Sequence, residues 1–367
     1  MAHHFVYIEK DATIGRGAKV TGTGSLKNTV KDEILEIGKT IKKGTTSFGS
    51  INRALIKFDV TKVSQSVASG DITNAKYYLV MYDAGAVELD ATAQLYSFAV
   101  SQSWEEGDGK KSDDPSTVNG VSWKLRNDHS SSLWGANQDL DWGGTYYSGS
   151  GYAASQSFNR DSSIDMRMDV TSIVNNWING SVPNEGFIVK RHNLEETSTS
   201  ASGMFKFFSG DTHTVFQPRL EVEWDDSSWS TGSLSALTSD NLDKLHLYTE
   251  GMSVEYKIGA LSRVRVKGRE KYPAQTFSTT SAYLDVKYLP SGSSMYSIVD
   301  TKTETTIVPF GSGSKLSCDS SGNFFRLRTS GLEPERYYKI IYKIESGSGI
   351  NKTVNFYDPD HTFKVIR

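Results

Sequence analysis

The stretch from Asp169 to Lys190, DVTSIVNNWINGSVPNEGFIVK, predicts a short helix followed by a strand. Its apolar residues recur at helical spacing and share one face: Val170, Ile173, Val174, Trp177 and Ile178. Asp169 supplies a carboxylate to the first turn, where backbone N–H groups lack helical partners. Gly180 then ends the helix and Pro183 prevents it from resuming. A single apolar-faced helix needs a sheet to cover, so we expect it to close the open end of a sandwich or barrel.

The composition around this helix indicates β-structure. The chain has 367 residues, with 32 Gly, 18 Tyr and 16 Phe but only 8 Pro. Sequences rich in glycine and aromatics favour strands and tight turns. The run Arg53–Val60 alternates, with Ala54, Ile56 and Phe58 on one face and Arg53 on the other, which predicts a half-buried strand. We therefore expect an all-β protein with one short helix.

The length of the chain favours two or three domains. The polar segment 225–231 interrupts the strand pattern and marks a boundary. We predict a jelly-roll-like β-sandwich over residues 1–225, a connector over 226–249 and an immunoglobulin-like β-domain over 250–367. Turns in the last part recur every ~8–12 residues, which suits an immunoglobulin-like sandwich.

The charge and the cysteine content narrow the class of protein. The formal net charge is −3 and the basic residues are scattered, so we expect no nucleic-acid partner. Cys318 is the one cysteine, so no intramolecular disulfide can form and synthesis in a reducing compartment is expected. No run approaches ~18 apolar residues, so we expect no membrane span. The N-terminus lacks the basic and apolar segments of a signal peptide.

Several pieces of the first 225 residues follow a recognisable order. The run 53–60 looks like an R-x-L-L-x-F-D-L strand, and residues 104–107 look like a W-x-E-G turn. Residues 141–146 match W-x-x-G-G-D-Y, with Thr145 where an acid is common, and residues 169–187 match D-V-T-x-x-V-x-x-W-x-x-G-x-x-x-N-x-G-F. In this order the pieces resemble the DNRLRE-type β-sandwich family. The resemblance implies a domain similar to the carbohydrate-binding modules of cell-surface proteins.

The C-terminal part carries a second set of pieces: VRVKGREKYP at 264–273, VKYLP at 286–290, SCD at 317–319, LEPERYY at 332–338 and FKVIR at 363–367. These pieces resemble a segment of virion structural proteins from contractile-tailed phages of the T4-like kind. The resemblance implies a domain that docks on other virion proteins and on copies of itself.

The residue types that carry chemistry form no pattern typical of an active site. The seven histidines are scattered, without the spacing of a metal site, and no histidine is placed to activate Cys318. An acidic loop contains Glu105, Glu106, Asp108, Asp113 and Asp114. Its carboxylates suit a solvated loop, and the alternatives are structural Ca²⁺ or glycoside hydrolysis. We expect no enzyme, no catalytic residues and no cofactor.

Aromatic residues are dense after this loop: Trp104, Trp123, Trp134, Trp142, Tyr146, Tyr147 and Tyr152. Exposed rings would stack on sugars, so six of them are candidate glycan contacts: Trp104, Trp123, Trp134, Trp142, Tyr146 and Tyr147. The alternative interpretation is that these rings pack in the core and in turns. Trp177 lies on the apolar face of the helix and is expected in the core.

A basic strand supplies the second set of candidate residues: Arg263, Arg265, Lys267 and Arg269. Their alternation with Val264 and Val266 gives a basic edge, which is either a solvated strand face or a contact for an acidic subunit.

The sequence as a whole predicts a non-enzymatic structural protein of a tailed-phage virion, placed in the tail, baseplate, neck or capsid exterior. It would be assembled in the host cytoplasm and would dock through its C-terminal domain. The alternative is a carbohydrate-binding adhesin that recognises a host or environmental polysaccharide.

Overall fold

The computed structural model describes residues 2–16, 27–41, 48–127, 132–135, 143–198, 202–237, 242–272 and 286–367. The chain divides into two compact units. The N-terminal unit comprises Val6–Asp71 and Lys76–Glu221, and the C-terminal unit comprises residues 2–5, Ile72–Ala75 and Val222–Arg367.

Twelve strands and three helices lie in the described residues up to Glu223. The strands are β1 (His3–Arg16), β2 (Ile34–Ile41), β3 (Phe48–Phe58), β4 (Lys76–Met81), β5 (Thr92–Ala99), β6 (Leu125–Asn127), β7 (Ser132–Leu133), β8 (Ala153–Asn159), β9 (Met166–Asp169), β10 (Phe187–Arg191), β11 (Gly203–Phe208) and β12 (Arg219–Glu223). The helices are α1 (Thr61–Ala68), α2 (Thr171–Ile178) and α3 (Asn193–Thr197).

Ten of these strands form one sheet, in the order β8-β5-β10-β3-β1-β12-β4-β9, with β2 joining β3 to β11. The sheet nearly closes on itself, because the Gln156 side chain on β8 accepts from the backbone N–H of Arg167 on β9 at 3.0 Å. The Gln156 amide also donates to the Asp165 carbonyl at 3.4 Å. Because most of the regular structure described consists of strands, the all-β prediction is confirmed.

The predicted helix is confirmed as α2. The Asp169 carboxylate accepts from the Thr171 N–H at 3.0 Å, and Gly180 follows the helix with a φ of +71°. Ile173, Val174 and Trp177 are buried, and the Trp177 ring lies 4.6 Å from that of Phe187 on β10. The helix packs on β4 and β8, which come from opposite halves of the sheet path.

Two sequence predictions for the N-terminal unit were wrong. The described residues contain α1 and α3 in addition to the one predicted helix. The run at β3 is buried on both faces, because Arg53 is as buried as Ala54 and Ile56. Arg53 is therefore a core residue, although its position in the alternation predicted a polar face.

Ten further strands belong to the C-terminal unit: β13 (Leu245–Glu250), β14 (Glu255–Lys257), β15 (Leu261–Glu270), β16 (Ser294–Asp300), β17 (Thr306–Val308), β18 (Ser317–Asp319), β19 (Gly322–Arg328), β20 (Tyr337–Ser346), β21 (Thr353–Tyr357) and β22 (Thr362–Ile366). β13 occupies part of the predicted connector 226–249. The turn after Ser346 joins β20 to β21 as a hairpin.

The C-terminal unit has the topology of an immunoglobulin-like sandwich. One sheet has the order β13-β15-β19-β18, and the other has the order β14-β22-β20-β16-β17 with β21 also paired to β20. With β14, β17 and β21 left out and the other seven strands lettered in chain order, the first sheet is A-B-E-D and the second contains G-F-C, which is the immunoglobulin arrangement. β14 runs parallel to β22 beside it.

Aromatic rings from both sheets form the core of this unit. The Phe325 ring on β19 stacks on Tyr296 of β16 with centroids 4.2 Å apart and meets Tyr342 of β20 at 6.3 Å. The Tyr338 hydroxyl, near the start of β20, donates to the Glu333 carbonyl at 3.0 Å. This bond is the tyrosine corner found at the same place in immunoglobulin-like domains.

None of the helices in the described ranges is both long enough and apolar enough to cross a bilayer.

Candidate functional site

The acidic loop is solvated at its side chains, since Glu105, Asp108 and Asp114 are exposed, and it is held to the core through its backbone. Asn28 is fully buried behind it and donates to the carbonyls of Glu106 and Val121 at 2.7 and 2.8 Å. The side-chain oxygen of Asn28 (Oδ1) accepts a hydrogen bond from the Gly109 N–H at 2.8 Å. A Cβ on Gly109 would lie 2.6 Å from the Asn28 backbone oxygen, so only glycine fits this approach. The Asn28 amide therefore sets the path of the loop.

The carboxylates of this loop have separate partners. Asp113 accepts from the Thr117 hydroxyl at 2.6 Å and from the Lys110 N–H at 2.8 Å, and Asp108 pairs with the Asn119 amide. Among the described residues, no three carboxylates of the loop lie within 4.8 Å of one another. The described side chains thus stabilise turns, and no three of them converge as metal ligands.

A polar groove of about 410 Å³ opens beside the acidic loop in the N-terminal unit. It is lined by three segments of the chain, on β1, on residues 27–36 and on β3, with one side chain from the loop. The lining includes Thr13, Arg16, Asp32, Glu36, Asn52 and Lys111. Because the buried Asn28 lies between Lys27 and Thr29 of this lining, the same amide that fixes the loop positions one wall of the groove.

The floor of the groove is a hydrogen-bonded set of three side chains. The Asn52 amide donates to the Glu36 carboxylate at 3.0 Å, and the Lys111 ammonium lies 2.6 Å from the same oxygen. Asn52 is the register partner of Gly15 on β1 and of Gly38 on β2. A Cβ on Gly15 would lie 2.9 Å from the Asn52 side-chain oxygen, so the glycine leaves room for the amide.

The charges of the groove are mixed. Asp32 accepts from the Lys111 N–H at 3.1 Å with both carboxylate oxygens. Burial raises the pKa of Asp32 above its ordinary value, and the Lys111 N–H and ammonium oppose this rise. The arrangement of amide, carboxylate, ammonium and hydroxyl groups can exchange hydrogen bonds with a polyhydroxylated molecule.

Three of the six candidate glycan contacts lie in the core, which corrects the interpretation of these rings as a sugar platform. Trp104, Trp123 and Trp134 are only 1–2% exposed and pack with Ile14, Leu55 and other buried residues. Two of the indole N–H groups also donate hydrogen bonds within the protein. Trp104 donates to the Glu185 carbonyl and Trp134 donates to the Ser122 carbonyl, both at 2.9 Å. A buried ring has no free face for a sugar in this conformation.

The remaining aromatic candidates are in different positions. Tyr146 and Tyr147 are half-buried; the Tyr146 ring packs on Phe98 at 4.6 Å and the Tyr147 ring on Tyr152 at 5.3 Å. Trp142 lies outside the described residues. Both tyrosines therefore pack against another ring and are only partly exposed.

A buried cluster of charges in the N-terminal unit is centred on Glu196. The Glu196 carboxylate accepts from the Arg53 guanidinium at 2.7 and 3.0 Å, and the Lys190 ammonium lies 3.2 Å away. Arg53 also donates to the Gly143 carbonyl at 2.7 Å and lies over the Trp123 ring at 4.8 Å. All three charged side chains are at most 1% exposed, so the cluster stabilises the unit and is closed to a ligand.

The four basic candidates lie on β15, which is an interior strand between β13 and β19. The predicted basic edge is therefore a sheet face. Arg265 makes two hydrogen bonds to Asp319 at 2.8 and 2.9 Å, and Lys267 lies 2.7 Å from Glu250. Arg263 is 3.6 Å from Asp319, and Arg269 donates to the Glu270 carbonyl at 3.3 Å.

Sequence reasoning missed the groove and the charge cluster. Glu36 and Lys111 are 75 residues apart, and Arg53 and Glu196 are 143 apart. The Asn28 position carried no local signal, since a lone asparagine in a polar segment predicts a turn. Arg53 carried no clear signal either, because Lys57 and Asp59 follow it on the same face of the run and predicted a solvated face.

No family model and no curated protein matches this chain. Among solved structures, it is similar to a DUF4785 family protein from Legionella pneumophila with a TM-score of 0.22 and 9% sequence identity. The match covers 80% of this chain, and the chain spans 62% of that protein. A similarity at that TM-score defines neither the fold nor the function of this chain.

Proposed function

We propose that the chain is a non-enzymatic structural protein of a tailed-phage virion, assembled in the host cytoplasm through its C-terminal unit. The resemblance of residues 264–367 to virion proteins of the T4-like kind is its starting point. The observation that carries it is that side chains capable of catalysis are engaged within the core of the protein. Glu196 is held by two cations, and burial raises the pKa of the Cys318 thiol to about 11, so the thiol stays protonated.

The immunoglobulin-like topology supports a docking role for the C-terminal unit. Such a sandwich offers two rigid sheet faces, and a virion protein presents the same face in every copy, so that weak contacts add through symmetry. The N-terminal unit would then be an outward module or an assembly surface.

The test is the composition of purified particles. Particles of the encoding phage would be banded on a density gradient, and the chain would be quantified by mass spectrometry. We expect a fixed number of copies per particle that withstands repeated banding. Recovery of the chain in the soluble lysate alone, with none in the particle band, would overturn the proposal.

The second candidate function, carbohydrate binding, is favoured by the polar groove and not by the buried indoles. It predicts that immobilised polysaccharides of the host surface retain the chain. Asn52→Ala removes the amide at the groove floor and would abolish retention, whereas Asp161→Asn in an exposed turn would leave it unchanged. Equal retention of both variants would exclude the groove, and no retention of the native chain would exclude this function.

A further inference from the structure

Lys190, on β10, is a buried lysine that lies against both an asparagine and a glutamate. Its Nζ atom donates to the side-chain oxygen of Asn193 and lies 3.2 Å from a carboxylate oxygen of Glu196. The centre of the Tyr146 ring is 5.6 Å from the same Nζ atom. An amine, an amide carbonyl and a carboxylate therefore meet at one point in the N-terminal unit.

The short helix α3 brings the amide and the carboxylate together. The His192 carbonyl accepts from the Glu196 N–H at 3.0 Å and forms the first turn. Residues three apart lie on the same side of a helix, so Asn193 and Glu196 are neighbours at the end of β10. Arg53 fixes the plane of the Glu196 carboxylate through two hydrogen bonds, at 2.7 and 3.0 Å. The positions of both groups are therefore set by the fold.

We propose that Lys190 and Asn193 join in an intramolecular isopeptide bond, with Glu196 as the group that transfers the protons. Nζ attacks the side-chain carbonyl carbon of Asn193, so that an Nζ–Cγ bond forms and the Cγ–Nδ2 bond breaks. The Lys190 ammonium brings three protons. One stays on the new amide, and two pass through the Glu196 carboxylate to the departing nitrogen, which leaves as ammonium. The reaction needs no oxidant, reductant or other reactant.

Burial and proximity favour this reaction. Proton transfer from Nζ to Glu196 converts two charged groups into two neutral ones, and a buried site favours the neutral forms. Arg53 opposes the transfer because it stabilises the ionised carboxylate, so the reaction is slow. It has to occur only once in each chain, and an amine fixed beside a carbonyl has an effective concentration far above that of a free reactant. Because the reaction consumes residues of the chain itself, it does not depend on the proposed function.

The test is the intact mass of the native chain after expression in bacteria, purification and denaturation. We expect a mass lower by one ammonia than the sequence requires. Asn193→Ala and Lys190→Met should each have the full mass of their sequences, whereas Asn175→Ala, at an exposed position of α2, should keep the loss. Tandem mass spectrometry of a tryptic digest should find Lys190 uncleaved and still joined to Asn193 after cleavage at Arg191.

Two results would overturn the bond itself. One is a native chain of full mass, and the other is a loss of ammonia that persists in Asn193→Ala, since that loss comes from another amide. The Asn193 side chain is only partly buried, so this variant tests the bond without disturbing the core.

The role of Glu196 has its own test. Glu196→Gln removes the group that carries the protons and should prevent the bond, so that the variant keeps the full mass of its sequence. A melting curve establishes that the variant is folded. A bond that forms as completely in folded Glu196→Gln as in the native chain would overturn the role given to this carboxylate.

Discussion

The two units use their arginines in opposite ways. In the N-terminal unit, Arg53 is fully buried and shares the Glu196 carboxylate with Lys190. In the C-terminal unit, Arg263 and Arg265 lie on a sheet face that is open to solvent and share the Asp319 carboxylate. A buried charge that loses its partner is strongly destabilising, whereas a partly exposed ion pair is screened by water. The comparison indicates that an arginine–carboxylate pair contributes more to stability in the first unit than in the second.

The largest effect is expected at the centre of the buried cluster. Glu196→Gln leaves two cations without a buried counter-charge and should lower the free energy of unfolding by about 3–5 kcal/mol. Urea unfolding followed by tryptophan fluorescence measures this loss, because Trp104, Trp123 and Trp134 report on the same core. A loss below about 1 kcal/mol would show that the cluster is not a source of stability.

Asp11 is a buried carboxyl group outside the cluster around Glu196, and burial disfavours its charged form. Burial raises its pKa to about 7, and the Gly210 N–H bond at 2.6 Å only partly opposes this rise. Because the folded pKa lies above the unfolded value, the stability that Asp11 contributes is present at low pH. This stability is lost as the pH rises from about 4 to about 7. The loss is about 1.4 kcal/mol for each unit by which the folded pKa of Asp11 exceeds its unfolded pKa.

Asp11→Asn should remove this dependence on pH. We expect the native chain to lose stability relative to the variant between pH 4 and pH 7 in urea unfolding. Asp59→Asn is the control, since a hydrogen bond from Thr61 lowers the pKa of Asp59 and its contribution is lost only below that range. Parallel curves for the native chain and Asp11→Asn would contradict the expectation.

In the C-terminal unit, a smaller effect is expected at the tyrosine corner. Tyr338→Phe removes the hydrogen bond to the Glu333 carbonyl and should cost about 1 kcal/mol. Tyr337→Phe on the same strand is the matched control, because that side chain is 53% exposed. Hydrogen exchange of the C-terminal unit resolves the difference, and equal protection in both variants would deny the corner a stabilising role.

The smallest effect is expected on the exposed face itself. Asp319→Asn removes the partner of Arg265, yet both side chains are about a quarter exposed, so the change should stay below about 1 kcal/mol and shrink with added salt. If Asp319→Asn lowered the free energy of unfolding as much as Glu196→Gln, the ion pairs of the two units would not differ in their contribution to stability.

The sequence predicted those features that depend on local spacing. The helix at 171–178 followed from the apolar period around Trp177, and β15 followed from the alternation of Val264 and Val266 with arginines. The helix α1 was missed because Val63 is its one buried residue, so no apolar period marks it.

The features that sequence could not predict depend on distant pairs. The role of Arg53 is set by Glu196, and the groove exists because Glu36, Asn52 and Lys111 meet from separate segments. The same limit applies to the charged face: Arg263 was identified on its own strand, but its opposition to Arg326 follows from register. Spacing along one strand does not give the pairing between strands.

The measurement that tests the central claim most directly is an electron-microscopic structure of the native particle. We expect repeated copies of the chain at fixed positions in the particle, each docked on a neighbouring subunit through its C-terminal unit. A particle that lacks the chain, or in which the C-terminal unit is open to solvent in every copy, would contradict the proposed function.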